Sequence, residues 1–280
     1  MTAWHLRDRI LHPGEPPLVM GIVNATPDSF SDGGRYLDSD AAISHALELV
    51  REGADLLDIG GESTRPGATA VPLDEELSRV LPVVRGLAAR TSVPLSIDTS
   101  KAEVARQCLA AGAHIVNDIT ALRGDPDMAA VVRDSGAAVI LMHTQGTPAT
   151  MQDNPTYTDV VAEVADFLEE RLHTAVKTGI AAERVVLDPG IGFGKGREHN
   201  VTLLAGLGEL RRLGRPVCLG VSRKGFLGKL LDRPLDRRLA GSLAAACFAL
   251  AHDTAQVLRV HDVAETGDAV IVFKTLRHHK

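Results

Sequence analysis

Three cysteines in 280 residues exclude a disulfide framework and a paired-cysteine zinc site. Cys108, Cys218 and Cys247 are isolated in apolar segments and read as small buried residues of a reducing compartment. No stretch approaches the roughly 18 consecutive apolar residues of a membrane span. The opening MTAWHLRDRILHPGEPP carries charges where a signal peptide would have its apolar core. No long basic run accompanies the formal net charge of -6, which argues against a nucleic-acid or anionic-membrane surface. HExxH is missing, the eleven histidines are scattered, and no G-x-S-x-G elbow occurs. These absences leave a cytoplasmic globular protein as the expectation, and a hydrophobic content of 45% can fill a substantial core.

A repeated unit stands out instead: an amphipathic stretch, a glycine, then a short apolar run ending in polar residues. AAISHALELVREGADLLDIGGEST has Ile43, Leu47 and Val50 at helical spacing, Gly53 at a helix C-cap, and a strand at Leu56–Ile59. Gly112, Gly136 and Gly179 punctuate three further copies. Eight strands are expected, at Leu18–Val23, Leu56–Ile59, Pro94–Ile97, His114–Asn117, Ala138–Met142, Val185–Leu187, Val217–Val221 and Val257–Val260. Each is followed by a loop or helix signal, which fits a (β/α)8 TIM barrel, an α/β fold. A doubly wound sheet usually has fewer strands, and no G-x-G-x-x-G follows the first one. Without a Pro-, Gly- or Ser-rich linker, residues 1–280 read as one domain with 1–17 as a lead-in.

The polar residues fall at the strand exits. Asn24, Gly60-Gly61-Glu62-Ser63-Thr64-Arg65, Asp98-Thr99, Asn117-Asp118, Met142-His143, Asp188-Pro189-Gly190, Ser222-Arg223-Lys224 and Arg259-Val260-His261-Asp262 follow in order. A barrel brings all of these to one face, where barrel enzymes place their chemistry. Any single Asp there is more often a helix N-cap. Recurrence at nearly every exit is what a capping role does not explain. LDPGIGFGKGREHN lacks the Walker A spacing and reads as a flexible loop. Ser222, Arg223, Lys224, Arg259 and His261 follow strands seven and eight, where barrel phosphate sites are often built. The first exit continues as NATPDSFSDGG, turn-forming in its backbone yet carrying Asp28, Asp32 and a lone Phe30.

The segments MGIVNATPDSFSDGG, GGESTRPGA, SIDTSK, NDIT, LDPGIGFGK, GVSRKGFLG and LRVHDV, in that order from Val19 to Val263, resemble the bacterial dihydropteroate synthases. The resemblance implies a homodimeric pterin-binding TIM barrel. The family condenses 6-hydroxymethyl-7,8-dihydropterin diphosphate with p-aminobenzoate, giving dihydropteroate and pyrophosphate, and is blocked by sulfonamides. By resemblance, Asp98, Asn117 and Asp188 bond the aminopyrimidinone edge of the pterin, Lys224 its carbonyl side, and Ile119 and Met142 form apolar walls. Asn24, Arg259 and His261 match the diphosphate clamp, with Asn24 at a Mg2+ ion. Thr64, Arg65, Pro66, Phe193 and Ser222 match the aminobenzoate region. Thr26, Pro27, Asp28, Ser31 and Asp32 belong to the first catalytic loop, and Phe30 is its lid over the aminobenzoate ring. Lys224, Arg259, His261 and Asp98 are the expected catalytic residues, with the pterin and diphosphate parts of the rim separate. Ala25, Thr144 and Ala149 depart from the family's usual residues. Two other readings share the barrel: a methyltetrahydrofolate-dependent methyltransferase, which needs no diphosphate clamp, and a non-catalytic pterin-binding paralogue.

Overall fold

The computed structural model describes residues 3–14, 16–25, 35–65, 67–147 and 149–279, the side chains of 35–38 excepted. Eight parallel strands form its sheet: β1 Leu18–Asn24, β2 Leu56–Gly60, β3 Leu95–Asp98, β4 Ile115–Asp118, β5 Ala138–Met142, β6 Val185–Asp188, β7 Cys218–Leu219 and β8 Val257–Val260. Neighbours in sequence pair in order, and β8 returns to β1 in the register Val257↔Leu18 through Val260↔Gly21. The β6–β7 junction is held by the Leu187↔Val217 bridge, with Leu187 N–H donating to the Pro216 carbonyl at 3.0 Å. The nearly continuous apolar runs of the sequence are the signature of strands covered on both faces.

All eight expected strands exist; the fifth and eighth match the sequence reading at both ends, and the others differ there. The third, fourth and sixth run one residue further, so Asp98, Asp118 and Asp188 are the last strand residues and not the first loop residues. The seventh is cut from five expected residues to Cys218–Leu219. Pro216 has no N–H to donate before it, and Gly220 follows without a side chain to pack. The lead-in also contains an unexpected antiparallel pair, Trp4–His5 with Ile10–Leu11.

Nine helices are described: α1 Arg35–Arg51, α2 Leu73–Ala88, α3 Ala102–Ala110, α4 Met128–Ser135, α5 Val160–Lys177, α6 Arg197–Ala205, α7 Gly225–Leu231, α8 Leu239–Ala251 and α9 Val263–His278. Local signals set their ends. Asp159 caps α5 by accepting from the Val161 and Ala162 N–H groups, and Gly136 ends α4 with φ 65°. The larger core packs helix faces on the outer side of the strands, through Val80, Val83, Val84, Leu87, Val164 and Leu168.

The inner side alternates in two layers because strand side chains change face with period two. Met20, Leu56, Ile115, Ala138, Ile140, Val186, Cys218 and Val257 form an apolar cluster inside the barrel. Trp4 and Leu6 of the lead-in belong to the same cluster, with Trp4 fully buried and its indole N–H donating to the Arg184 carbonyl at 3.1 Å. The lead-in is therefore a plug at the N-terminal end of the strands. Stepping two residues along each strand from this apolar layer reaches Asp58, Asn117, Asp188 and Arg259, the polar layer at the other end.

Candidate active site

Parity explains which polar residues face inward. Asp98, one pair beyond Ser96 on β3, is in register with Gly60 on β2 and Asn117 on β4. Asp188 on β6 is in register with Met142. Asp118, one residue beyond Asn117, faces the other way. Its two carboxylate oxygens accept from the Thr120 and Leu122 N–H groups, which is loop capping. Sequence alone put Asn117 and Asp118 together, and the pleat separates them into a pocket residue and a structural one.

At the centre lies a charge network tied by Arg259, whose Nε donates to Asp58 Oδ2 at 2.6 Å and whose Nη2 donates to Asp98 Oδ2 at 2.7 Å. Asn117 Nδ2 donates to the same Asp58 oxygen at 3.0 Å. Asp58 is fully buried, and its other oxygen, Oδ1, has no partner among the described residues. Asp58 was not a sequence candidate. Its signal was available: in LLDIG, two positions before the rim glycine Gly60, it is the inward residue of β2.

Burial pushes the Asp98 carboxyl up to about 7, against the pull of the Arg259 guanidinium and with added repulsion from Asp58. Burial also raises the Asp188 carboxyl, opposed by the Gly190 N–H, which donates to its Oδ1 at 2.7 Å, and by Lys224, Arg259 and Lys195. Lys224 is pushed down to about 8 by burial and by Arg259, with Asp188 and Asp98 opposing. Its Nζ lies 4.1 Å from the centroid of the Phe193 ring. Ile119, Met142, Phe193 and Met151 form a small apolar cluster of their own. Met151 was not expected, because nothing in the periodicity of its loop marks it.

Two of the expected cations are committed differently. Arg223 forms a two-pronged ion pair with Asp262, so it is neutralised by a neighbour on the same rim. His261 is pushed down to about 4 by burial, Arg259 and Arg223, and is a neutral imidazole near pH 7. Its Nδ1 lies 3.0 Å from Ser222 Oγ. Arg259 pairs directly with Asp98 of the expected pterin part, so the two expected parts of the rim are in direct contact.

The loop after β6 is built, not slack as the sequence reading had it. Lys195 is buried, and its Nζ reaches His143 Nδ1 at 2.8 Å, the Gly190 carbonyl at 2.9 Å and the Phe193 carbonyl at 3.0 Å. Asn200 closes the loop from α6, accepting from the Gly192 N–H and donating to the Lys195 carbonyl. A Cβ at Gly190 would fall 1.8 Å from the His143 carbonyl oxygen, and φ there is 66°, so only glycine fits. Glycines that looked like flexibility serve close backbone approach.

Asn24 ends β1 half-buried, paired in register with Gly60. Thr64 is half-buried and Arg65 exposed in the loop after β2. Thr26, Pro27, Asp28, Phe30, Ser31, Asp32 and Pro66 lie outside the described residues. A cavity of about 340 Å³ lies at the opposite end of the barrel, against Pro16, Val217, Phe273 and Arg277, and none of the strand-exit residues lines it.

Residues 20–261 match the pterin binding enzyme family. The dihydropteroate synthase of Escherichia coli strain K12 is 48% identical over 256 residues, covering 91% of this chain and 90% of that protein. The chain belongs to the dihydropteroate synthases of the pterin-binding family. A Xanthomonas albilineans dihydropteroate synthase solved with 4-aminobenzoic acid superimposes with a TM-score of 0.92 at 50% identity, covering 100% of this chain and 99% of that one. The same organism's enzyme in complex with 7,8-dihydropteroate gives 0.90 at 48% identity, over 99% and 100% of the two chains. A Yersinia pestis dihydropteroate synthase in a sulfonamide drug complex gives 0.92 at 45% identity, over 98% and 99%.

Proposed function

We propose that this chain joins a 7,8-dihydropterin methylene diphosphate to p-aminobenzoate with release of pyrophosphate, in folate biosynthesis. The observation that carries this is the ring of Asp98, Asn117, Asp188, Lys224 and Arg259 at the C-terminal ends of the strands, with Phe193 beside it. Relatives at up to 50% identity, solved with aminobenzoate, dihydropteroate or a sulfonamide, support the choice of substrates and of sulfonamides as competitors.

Chemistry assigns the roles. Carboxylates at Asp98 and Asp188 accept paired N–H donors of an aminopyrimidinone edge. Lys224 donates to the ring carbonyl, and Ile119 and Met142 close on the ring faces. As the carbon–oxygen bond to the diphosphate breaks, positive charge spreads into the pterin and negative charge gathers on the leaving oxygens. Anionic Asp98 and Asp188 favour the first, and Arg259 the second. The aromatic amine is already neutral and nucleophilic, so attack needs no strong base. His261, neutral and tied to Ser222, donates a hydrogen bond to the diphosphate. Thr64, Arg65, Pro66, Phe193 and Ser222 take the aminobenzoate, with Phe30 as its cover.

Mg2+ fits the donor set in a limited way. No group of three His, Cys, Asp or Glu side chains is assembled among the described residues. Asn24 offers one carbonyl oxygen, and Mg2+ commonly takes few protein ligands and several from substrate phosphates. Bound there, it would neutralise charge on the leaving group.

The homodimer has a candidate face. Leu230 and Leu231 of α7, Phe248 of α8, and Ile271, Val272 and Leu276 of α9 are exposed apolar residues on three helices adjacent in the chain. A mass of about twice the 29.7 kDa chain in light scattering is expected. No described helix is long and apolar enough to cross a membrane, and the three thiols are free. A cytoplasmic location agrees with both.

The deciding assay follows pyrophosphate release from the dihydropterin diphosphate with and without p-aminobenzoate and Mg2+. Amine-dependent release with dihydropteroate formed is expected. Absence of amine dependence overturns the reading in favour of a paralogue, and methyl transfer in its place would favour the methyltransferase.

A further inference from the structure

Asp58 is a buried carboxylate that the reaction as described does not use. It is fully buried in the polar layer and keeps one oxygen without a partner among the described residues. A buried acid held this way is costly unless it does something for the site. It touches two things: the Nε edge of Arg259 at 2.6 Å and the amide of Asn117 at 3.0 Å.

We infer that Asp58 is a positioning residue that moderates the Arg259 charge felt by the diphosphate, so that pyrophosphate can leave. The inference rests on the synthase reading above. Asp58 holds the Nε edge of the guanidinium and Asp98 holds Nη2, and Nη1 has no partner among the described residues. A pterin that takes Asp98 as its acceptor removes the second tether, and the Nη groups turn to the diphosphate while Nε stays on Asp58. The guanidinium thus meets the leaving group as one half of an ion pair. An unpaired buried arginine would bind substrate diphosphate and product pyrophosphate alike more tightly, and uniform tightening retards release without lowering the chemical barrier.

The same carboxylate sets the Asn117 amide. A carboxylate paired with a guanidinium only accepts, so it must receive the Asn117 NH2 group, and the Asn117 carbonyl oxygen is left for the pocket. Loss of Asp58 therefore acts in opposite directions on two ligands. Anion binding gains from the removal of a neighbouring negative charge, while binding of the neutral pterin loses the fixed amide.

The test compares the wild-type protein with Asp58→Asn, which is close in shape and removes the charge. Inorganic pyrophosphate, at fixed Mg2+, is titrated as a product inhibitor and by calorimetry, and 6-hydroxymethylpterin by fluorescence quenching. The expected result is pyrophosphate binding about tenfold tighter in Asp58→Asn, the order expected when one charge of a close pair is removed. Pterin binding is expected to be equal or weaker. A purely structural role for Asp58 loosens the site and weakens both ligands, which overturns the inference, as does unchanged pyrophosphate binding. Should Asp58→Asn fold poorly by thermal melting, the double variant Asp58→Asn/Arg259→Gln removes the paired charges together. Compared with Arg259→Gln alone, it should then bind pyrophosphate equally, and a gain in affinity without the guanidinium overturns the inference. Amine-dependent turnover by the wild-type protein separates failure of this inference from failure of the synthase reading.

Discussion

Replacing Arg259 by alanine tests the network most directly, because the pairing predicts a pH shift and not a simple loss. The guanidinium lies within hydrogen-bond distance of Asp58 and Asp98, and its side chain is 19% exposed against 0% and 9% for the two acids. Removing one partner of a buried pair costs about 3–5 kcal/mol, because the charge left behind is uncompensated. At 1.36 kcal/mol per pH unit that would be about two to four units. Partial exposure of the arginine admits water after truncation, so a shift of about one to two units for Asp98 is the expected scale. Asp98 already stands near 7 because of burial. In the proposed role its carboxyl accepts two pterin N–H groups at once only when ionised, so binding is expected to rise with pH through its midpoint. In the wild type that midpoint is near 7, and in Arg259→Ala it moves to the alkaline side. At pH 7 the ionised fraction then falls by about tenfold, and raising the pH to about 9 recovers much of the affinity. Fluorescence titration of 6-hydroxymethylpterin at pH 6, 7, 8 and 9 reads both numbers, with Arg259→Lys retaining a charge as the control. If Arg259→Ala binds pterin with the wild-type midpoint and affinity, Arg259 does not govern Asp98, and the two halves of the rim are separate after all.

Three other outcomes follow from named contacts. Trp4→Ala should lower stability by about 3–5 kcal/mol, the usual cost of emptying a buried aromatic site, and leave KM for both substrates unchanged, because the plug is at the end of the barrel away from the chemistry; a large rise in KM in the folded variant would refute that separation. Lys195→Met leaves the Gly190 and Phe193 carbonyls and His143 Nδ1 without their donor, so melting should drop by several degrees at about 2–4 °C per kcal/mol, and KM for p-aminobenzoate should rise through Phe193. For His261, the imidazole held neutral by burial should show no NMR titration between pH 5.5 and 8 in the ligand-free protein, its midpoint lying near 4; a midpoint near 6.5 would remove the neutral hydrogen-bond donor from the proposed mechanism.

The barrel was legible because each strand is short, apolar and followed by polar residues, so counting runs was enough. What the reading by runs missed is the phase within each run. Asp58 sits in the middle of LLDIG, looks like a stray acid in an apolar strand, and becomes intelligible only once Leu56 is known to face inward with Met20 and Ile115. The same phase distinguishes Asn117 from Asp118. Lys195 was hidden for another reason: its partners are three carbonyl or ring atoms supplied by Gly190, Phe193 and His143, and backbone acceptors leave no residue-type signal. Arg223 and His261 were misjudged because charge was assigned by residue type, while Asp262 neutralises the first and burial discharges the second.

This redistribution of charge changes what kind of site the rim is. Read by type, the ends of β7 and β8 offered a row of cations ready for phosphate. In the folded chain Arg223 is spent on Asp262, His261 is neutral, and Arg259 is divided between Asp58 and Asp98, so ready-made positive charge is scarce. Lys224 is itself depressed to about 8 by burial and by Arg259. On the proposed roles, a diphosphate gains the Nη2 edge of Arg259 when the pterin ring takes Asp98 from it. In that order, binding of the ring favours binding of the leaving group, and pyrophosphate alone is expected to bind weakly to the empty protein. Calorimetry of pyrophosphate with and without saturating 6-hydroxymethylpterin measures this directly. Tighter binding in the presence of the pterin is expected, and equal binding in both states would mean that Arg259 is available from the start.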